Sequence, residues 1–365
     1  MIPVENLYMM LAYAWNRLDE AKLVDVSSLP RKDLPNLLAR VLCSGVAHLV
    51  RRGFHQEYHE TADELAGLRG KINAAESIKR ALLPRGRAFC EYDEYSHDVV
   101  HNQIVKATLR NLARCDDVAS ELRADLNRLL FRFAHVSDIR LSKPAFRAAV
   151  VQRHTAIYAF LLDVCRLVFD ESLPTEESGH VRFRDFYRDK KKMWRVFQDF
   201  VYHFYRTELP GFKVSASYVN WDVVADDDAK TLLPSMQTDV SLRSPSRHII
   251  LDTKYTSQVF QRFHDKVSLR SGHLYQMLTY MKQQAADNAR AERPLPEGIL
   301  LYPLAKDHAD HCYTIAGQVL TVATVDLNQP WDHIHVRLLE LIHRGVPQPM
   351  TARTPDIHPL SGAVH

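Results

Sequence analysis

Two acids and one lysine stand beside apolar, strand-like segments in the second half of the chain. Asp252 and Lys254 follow directly on the apolar run Ile249-Ile250-Leu251, and Asp239 opens the strand-like segment before it. Successive side chains of a strand alternate between its two faces, so the i, i+2 spacing places Asp252 and Lys254 on the same face. The three charged groups are therefore predicted to converge at the end of a buried strand.

This combination of residues suits the hydrolysis of a phosphate ester. Two neighbouring carboxylates repel each other and favour a divalent cation between them. Mg²⁺ is typically held by one or two carboxylates together with water and phosphate oxygens. A lysine beside them can orient the attacking water and offset the charge that develops on phosphorus. Asp239, a gap and then Asp252-Thr253-Lys254 follow the acid, gap, acid-x-Lys pattern of the PD-(D/E)xK nucleases.

A solvated ion pair is the alternative interpretation, because Asp-x-Lys is common at strand edges. Three features favour a site. The apolar run predicts a buried strand whose carboxyl end is where open α/β sheets place their sites, and a second acid-bearing strand precedes it. Gln276 and Tyr280 are spaced i, i+4 on a following helix and share one face. A Gln-x-x-x-Tyr helix after the acid-x-Lys strand is a companion motif in several nuclease families of this type.

Length and composition set the class of protein. The 365 residues favour two domains, and 46% hydrophobic with 25% charged residues is ordinary for a globular protein. A net charge of +3 does not by itself indicate a nucleic-acid partner. The start of the chain has no signal-peptide pattern, no apolar run reaches membrane-spanning length, and no P-loop motif occurs. The chain is expected to be cytoplasmic, with no membrane partner.

The cysteines predict neither a disulfide framework nor a zinc site. They are five in number, far apart, and form no Cys-x-x-Cys. We expect them to be reduced residues of the core. They are Cys43, Cys90, Cys115, Cys165 and Cys312.

Periodicity predicts the elements around the candidate site. Residues 3–17 are expected to form a helix capped by Asn6, with a core role favoured over a partner contact. Further predictions are a helix over 146–169, a strand over 213–224 and a carboxyl-terminal helix over 331–343. The aromatic and basic residues of 181–192 suit a phosphate backbone as well as they suit a solvated charge run.

These elements give the expected architecture. The class is α/β, with a mixed α+β amino-terminal domain over 1–170 and a restriction-endonuclease-like α/β domain over 180–345. Residues 346–365 contain several prolines and are expected to be a disordered tail.

Several separate motifs, in order, resemble the McrC family, the nuclease subunits of McrBC restriction systems specific for 5-methylcytosine (type IV). The resemblance covers nearly the whole chain. Its motifs are Ile2-Pro3-Val4-Glu5-Asn6-Leu7-Tyr8, Ala12-Tyr13-Ala14-Trp15, Gly67-Leu68-Arg69-Gly70-Lys71-Ile72, Asn102, Tyr218-Val219-Asn220-Trp221, Leu233-Pro234-Ser235-Met236-Gln237-Thr238-Asp239, Leu251-Asp252-Thr253-Lys254-Tyr255 and Leu274-Tyr275-Gln276.

The resemblance implies a DNA-cleaving subunit. Its amino-terminal domain would dock onto a hexameric AAA+ partner of McrB type, which hydrolyses GTP, recognises double-stranded DNA carrying modified cytosine and is stimulated by this subunit. Asp239, Asp252 and the backbone carbonyl of Thr253 would bind Mg²⁺, Lys254 would be the catalytic lysine, and Gln276 would support it. Many such nucleases also carry a glutamate on the first core helix, where this chain has Gln198-Asp199. No residue is assigned to a third carboxylate.

Two rival functions remain open. In one, the chain is an adaptor that activates an AAA+ ring without cutting DNA. In the other, it is a nuclease that acts without such a partner. The presence of Asp239, Asp252 and Lys254 together argues against a decayed nuclease site.

Overall fold

The computed structural model describes residues 2–26, 33–151, 156–174, 181–183, 186, 189–256, 258–263 and 266–344. Contacts between residues divide the chain into two compact units, Met1–His203 and Phe204–His365. The division falls inside a helix, Lys190–Glu208. The predicted domain limits at residues 170 and 180 stay a prediction, and the tail of 346–365 lies outside the described residues.

The first unit combines helices with small antiparallel sheets. A three-stranded sheet has the order β1-β3-β2, and β4 pairs with β5. The elements are α1 Val4–Ala14, α2 Leu18–Ala21, α3 Leu34–Arg52, β1 Glu57–Leu65, β2 Lys71–Ile72, α4 Ala74–Lys79, β3 Ala88–Ser96, α5 Val100–Ala113, α6 Ser120–Leu130, α7 Lys143–Ala148, α8 Ala156–Glu171, β4 Ser172–Pro174, β5 Val181–Phe183 and the greater part of α9 Lys190–Glu208.

Helix α1 is a core helix, as the favoured interpretation predicted. Its Leu7, Met10 and Leu11 are almost completely buried, so these side chains contribute to the core of the first unit. The predicted cap is wrong. The helix begins after Pro3, and Asn6 is buried within its first turns.

The helix predicted over 146–169 is wrong as a single element. Helix α7 ends at Ala148, and Ala149 leaves the helical conformation with φ −78° and ψ 77°. Val150, which follows the end of this helix, is 73% exposed. The apolar spacing continued across the break because a sequence pattern does not show where tertiary packing turns the chain. Helix α8 then begins at Ala156.

The second unit is built on one mixed sheet of order β14-β15-β13-β10-β9-β6. Strand β10 is parallel to β13, and β13 to β15, while the other neighbours are antiparallel. The elements are β6 Lys213–Ser215, β7 Tyr218–Val219, α10 Asp227–Thr231, β8 Met236–Gln237, β9 Val240–Arg243, β10 His248–Thr253, β11 Phe260–Phe263, β12 Lys266–Leu269, α11 Ser271–Arg290, β13 Pro296–Pro303, β14 Asp310–Ile315, β15 Gln318–Val325 and α12 Trp331–His343. The α/β class is confirmed.

Helix α11 packs closely on β13. Met277 and Met281 are fully buried in the same hydrophobic cluster as Ile250 and Leu300. Gly298 permits the close approach, because a Cβ at that position would lie 2.5 Å from the sulfur of Met281. The parallel pair β10–β13 and helix α11 thus share one core, which fixes the helix relative to the end of β10.

The helix predicted over 331–343 is confirmed, and the strand predicted over 213–224 is wrong as a single element. Helix α12 has the predicted limits, whereas the strand predicted over 213–224 consists of two short strands, β6 and β7. Asp226 caps the short helix α10 by accepting a hydrogen bond from the Ala229 N–H, so this acid has a local structural role.

The basic and aromatic segment of 181–192 is only partly described, and residues 184, 185, 187 and 188 lie outside the described residues. Phe186 is buried, and the Nζ of Lys192 lies 2.5 Å from Oε1 of the buried Glu171. Lys190 and Lys191 are exposed. The choice between a phosphate-binding segment and a solvated charge run stays open.

Three of the cysteines are buried as expected, namely Cys90, Cys115 and Cys165. Cys43 is half-buried. Cys312 is exposed on β14, so the prediction of a core position is wrong for this residue. Among the described residues, the helices are each too short or too polar to cross a membrane.

Candidate active site

Strand β10 carries the central residues of the candidate site. It runs between β9 and β13, and Ile249, Ile250 and Leu251 are completely buried. The apolar run therefore forms a strand that is covered on both faces, as its composition predicted. Asp252 is the first charged residue of the strand and is itself only 3% exposed.

Lys254 is held beside Asp252 at the end of this strand. Its backbone N–H donates to the Leu301 carbonyl at 2.9 Å, which continues the pairing with β13 by one residue. Its Nζ lies 2.7 Å from Oδ2 of Asp252, and its side chain is 18% exposed. The predicted convergence of Asp252 and Lys254 on one face is confirmed.

Asp239 is tied to the same strand end through Thr253. Its Oδ2 accepts hydrogen bonds from the Thr253 backbone N–H at 2.8 Å and from the Thr253 Oγ1 at 2.7 Å. Asp239 directly precedes β9, the antiparallel neighbour of β10, so the two acid-bearing segments meet as predicted. Hydrogen bonds to a charged acceptor are the stronger kind, and two of them restrain the orientation of this carboxylate.

Gln276 reaches the lysine from helix α11. Its Oε1 accepts a hydrogen bond from the Lys254 Nζ at 2.8 Å, and its Nε2 donates to the Tyr280 hydroxyl at 2.8 Å. The predicted common face of Gln276 and Tyr280 is confirmed. The ammonium group of Lys254 is thereby positioned between a carboxylate and an amide oxygen.

The electrostatics of Asp252 are unusual for an acid. The pKa of its carboxyl is raised to about 6, because burial and the negative charge of Asp239 raise it by more than the ammonium of Lys254 lowers it. A positive charge beyond that of Lys254 would favour the ionised form of Asp252.

The donor set fits a hard divalent cation. Asp239 and Asp252 offer carboxylate oxygens, which are the ligands that Mg²⁺ prefers. A bound cation would also offset the burial cost and the mutual repulsion that together raise the pKa of Asp252. The role of the Thr253 carbonyl as a further ligand stays a prediction.

Sequence reasoning missed two residues near the lysine. The Nδ1 of His273 lies 3.0 Å from the Tyr302 hydroxyl. Burial, together with the charges of Lys254 and Arg270, lowers the pKa of His273 to about 4. Burial and the charge of Asp252 raise the pKa of Tyr302. His273 could have been found from its i, i+3 spacing to Gln276, which places both on one face of α11.

The two residues at the expected position of a further carboxylate belong to helix α9. Gln198 and Asp199 lie on α9, in the part of that helix that belongs to the first unit. The assignment of a third carboxylate therefore stays open.

Comparison with known proteins gives a consistent family. The model of the family "McrBC 5-methylcytosine restriction system component" matches residues 4–303. The chain is 33% identical over 341 residues to the type IV methyl-directed restriction enzyme EcoKMcrBC of Escherichia coli K12, an alignment that covers 93% of this chain and 97% of that protein. The fold also resembles a chain in the refined half-complex of Thermococcus gammatolerans McrB AAA+ hexamers with bound McrC. That match has a TM-score of 0.60 and 17% identity, and it covers 92% of this chain and 76% of that chain. The chain belongs to the McrBC family of 5-methylcytosine restriction system components.

Proposed function

We propose that this chain is the DNA-cleaving subunit of a modification-dependent restriction complex and hydrolyses phosphodiester bonds with Mg²⁺. The observation that supports it best is the convergence of Asp239, Asp252, Lys254 and Gln276 at the carboxyl end of β10. A solvated ion pair would not need a buried acid or a glutamine that holds the lysine from another element.

The two acids have the role of metal ligands in this proposal. Asp239 and Asp252, with the Thr253 carbonyl, would hold the ion. When bound, Mg²⁺ supplies Lewis-acid stabilisation of the charge that develops on the phosphate and on the leaving oxygen. The two hydrogen bonds from Thr253 restrain Asp239, so one ligand oxygen is already oriented before the ion arrives.

Lys254 has the role of the catalytic lysine. Its Nζ is oriented by Asp252 and by the Oε1 of Gln276, so its N–H bonds are directed rather than free to rotate. From this position the ammonium can orient the attacking water for in-line displacement and donate to a non-bridging phosphate oxygen. A preorganised donor of this kind typically contributes about 100- to 1,000-fold to the rate.

The partner follows from the family and its relatives. The relative from E. coli is a methyl-directed restriction enzyme, and the similar solved structure contains McrB AAA+ hexamers. The sequence of this chain contains no P-loop. We infer that it acts with an AAA+ GTPase of McrB type, stimulates the GTP hydrolysis of that ring, and cuts double-stranded DNA that carries modified cytosine. Docking of the ring on the amino-terminal unit is part of the same inference.

Cleavage of methylated plasmid DNA is the direct test. The purified chain is assayed with Mg²⁺, alone and with its AAA+ partner plus GTP, beside Lys254→Ala and the matched control Lys282→Ala. Lys282 is exposed on the same helix that carries Gln276. We expect cleavage only in the complete mixture, its loss in Lys254→Ala and its retention in Lys282→Ala.

The remaining outcomes separate the rival functions. Stimulated GTP hydrolysis without any cleavage would replace the nuclease with an adaptor. Cleavage by the chain alone would remove the requirement for the ring. Full cleavage by a folded Lys254→Ala variant would refute the role assigned to this lysine.

A further inference from the structure

Two histidines and a glutamate meet in the first unit, whereas Asp239, Asp252, Lys254 and Gln276 of the proposed nuclease site belong to the second. His55 precedes β1, Glu57 is its first residue, and His101 lies in the first turn of α5. One ligand atom from each lies within 4.8 Å of the other two. Imidazole nitrogens and a carboxylate oxygen are the ligands of many transition-metal sites.

The tautomer of His101 directs a lone pair into this cluster. Its Nε2 lies 3.0 Å from the Val150 carbonyl oxygen, which can only accept, so Nε2 carries the hydrogen. The Nδ1 of the neutral ring is then an acceptor. It is buried and makes no hydrogen bond within the part of the chain that the structure describes.

The Glu57 carboxylate lies near this lone pair but is not hydrogen-bonded to the ring nitrogen. The Oε1 of Glu57 lies 3.7 Å from Nδ1 of His101, which is too long for a hydrogen bond even if a proton were present. The same Oε1 lies 3.0 Å from Nε2 of His55. In a tetrahedral zinc site with bonds near 2.0–2.1 Å, ligand atoms are about 3.3 Å apart. The two observed separations bracket that value.

The surroundings resemble the second layer of a metal site. A metal-binding histidine usually donates its other ring N–H to a carbonyl or carboxylate, as His101 does to Val150. The backbone of His55 is fixed on both sides, because its N–H donates to the Tyr158 hydroxyl at 2.8 Å and its carbonyl accepts from the Asn102 Nδ2 at 2.9 Å. Tyr158 in turn donates to the Asn102 Oδ1 at 2.7 Å.

We propose that His55 Nε2, Glu57 Oε1 and His101 Nδ1 bind a divalent transition-metal ion of the zinc class. The side chain of Glu57 is 43% exposed, so the ion can enter from solvent and keep water as a fourth ligand. The ion would join the start of β1 to α5 and, through His101, to the Val150 backbone. It would therefore stabilise the first unit, since an ion that binds only the folded state adds to stability.

The sequence alone gave no sign of this site. His55 and Glu57 are two residues apart, but His101 lies 44 residues beyond Glu57. The three ligands therefore form no short motif such as His-Glu-x-x-His. Only the pairing of the strand start with α5 brings them together. The absence of Cys-x-x-Cys excluded a cysteine zinc site and had no bearing on a site of histidine and glutamate.

Zinc binding by the full-length chain tests the proposal. The background carries Asp239→Asn and Asp252→Asn, so that ions at the proposed nuclease site do not contribute to the signal. After removal of metal with a chelator, Zn²⁺ is titrated by calorimetry and Co²⁺ by its visible absorption. We expect one equivalent of tight binding and a Zn²⁺-dependent rise in Tm.

His55→Gln and Glu57→Gln are the informative variants, because both side chains are only partly buried and the fold is expected to tolerate them. Substitution of residues that only hydrogen-bond to metal ligands typically lowers metal affinity about 10- to 100-fold. Loss of a ligand should therefore lower it by at least about 100-fold. His135→Gln, at an exposed position of the same unit, should bind as the background does. Circular dichroism checks that each variant is folded. Unchanged Zn²⁺ affinity in both ligand variants, or no binding in the background, would overturn the proposal and leave an ordinary His55–Glu57 ion pair.

Discussion

Nζ of Lys254 lies 2.7 Å from Oδ2 of Asp252, and this ion pair sits where a fully buried strand ends. The pair does not fully offset the burial of the acid, since burial still raises the pKa of Asp252 to about 6. The fold therefore maintains a carboxylate that ionises less readily than an ordinary aspartate. A site that binds a cation accounts for such an arrangement better than a structural ion pair does.

Asp252→Asn should abolish cleavage and, in metal-free buffer, raise the free energy of unfolding at pH 8. The folded pKa of about 6 exceeds the ordinary value of 3.8. Ionisation of the buried Asp252 therefore lowers the free energy of unfolding of the parent protein. This loss is absent below about pH 4 and complete above about pH 6. The gain at pH 8 should reach up to about 3 kcal/mol. Urea unfolding in the presence of EDTA at pH 8 and pH 4 measures it.

Mg²⁺ provides the control for that comparison. The ion should raise the Tm of the parent protein and have little effect on Asp252→Asn, because the variant lacks one of the two carboxylate ligands. An equal shift in both proteins would place the bound ion elsewhere.

Gln276→Leu should lower the cleavage rate about 10- to 100-fold, the usual range for residues that orient a site. The change removes the acceptor of the Lys254 Nζ but leaves its ion pair with Asp252. Tyr280→Phe removes only the hydroxyl that supports the glutamine, so its effect should be smaller. Single-turnover cleavage rates at saturating DNA distinguish the two. A larger loss in Tyr280→Phe would contradict the order of contacts that the structure gives.

Thr253→Val should weaken both the fold and the cleavage reaction. The hydroxyl of Thr253 donates to Oδ2 of Asp239 in a fully buried position, and loss of a hydrogen bond to a charged group costs about 1.5–3 kcal/mol. The backbone N–H of Thr253 remains, so Asp239 is loosened rather than released. Urea unfolding measures the loss of stability, and plasmid cleavage measures the loss of activity.

Thr324→Val is the matched control for this change. Thr324 is also buried in the same sheet, but its hydroxyl donates to the neutral carbonyl of Ala309 and accepts from the Ala309 N–H. Thr324→Val should lower stability by about 1–3 kcal/mol, because it leaves the Ala309 N–H without this acceptor, and should leave cleavage unchanged. Equal losses of cleavage in both variants would mean that general loosening of the sheet, and not Asp239, explains the effect.

Local spacing explains why much of the site could be predicted from the sequence. Asp252 and Lys254 are two residues apart on a strand, and Gln276 and Tyr280 are four apart on a helix, so periodicity alone places each pair. The link between Asp239 and Thr253 was predictable only as a meeting of neighbouring strands.

The parts that were missed depend on contacts between distant segments. Tyr302 lies near the site because Thr253 pairs with Leu301 across β10 and β13. The register between two parallel strands cannot be predicted from the sequence of either strand alone. The break after Ala148 and the exposure of Val150 have the same origin, since packing decided where the helix ended. The exposure of Cys312 on β14, which is an edge strand of the sheet, likewise depends on the strand order.

His248 should make the second unit sensitive to acid. It is 3% exposed at the start of β10, and burial, with the positive charge of Arg243, lowers its pKa to about 4. Its Nδ1 accepts from the Asn288 Nδ2 at 2.8 Å, and its Nε2 lies 3.0 Å from the Ser241 hydroxyl. These contacts suit the neutral ring, so protonation would bring an uncompensated charge into the core.

The two pKa values of His248, unfolded and folded, determine how stability changes with pH. An unfolded histidine titrates near 6.5 and the folded one near 4, so the contribution of His248 to stability is complete above pH 6.5 and is lost as pH falls towards 4. The loss should be roughly 3 kcal/mol. Unfolding free energies measured from pH 7 to pH 4 should therefore fall less steeply in His248→Gln than in the parent protein.

His333→Gln separates this effect from the titration of other groups. His333 is exposed on α12 in the same unit, so its replacement should leave the pH dependence of unfolding as in the parent. The variant His248→Gln is expected to be less stable at pH 7, because it disrupts the hydrogen bonds to Asn288 and Ser241, and the comparison therefore rests on the slope with pH. If the slopes of parent, His248→Gln and His333→Gln coincide, the buried histidine does not control the acid sensitivity of the sheet.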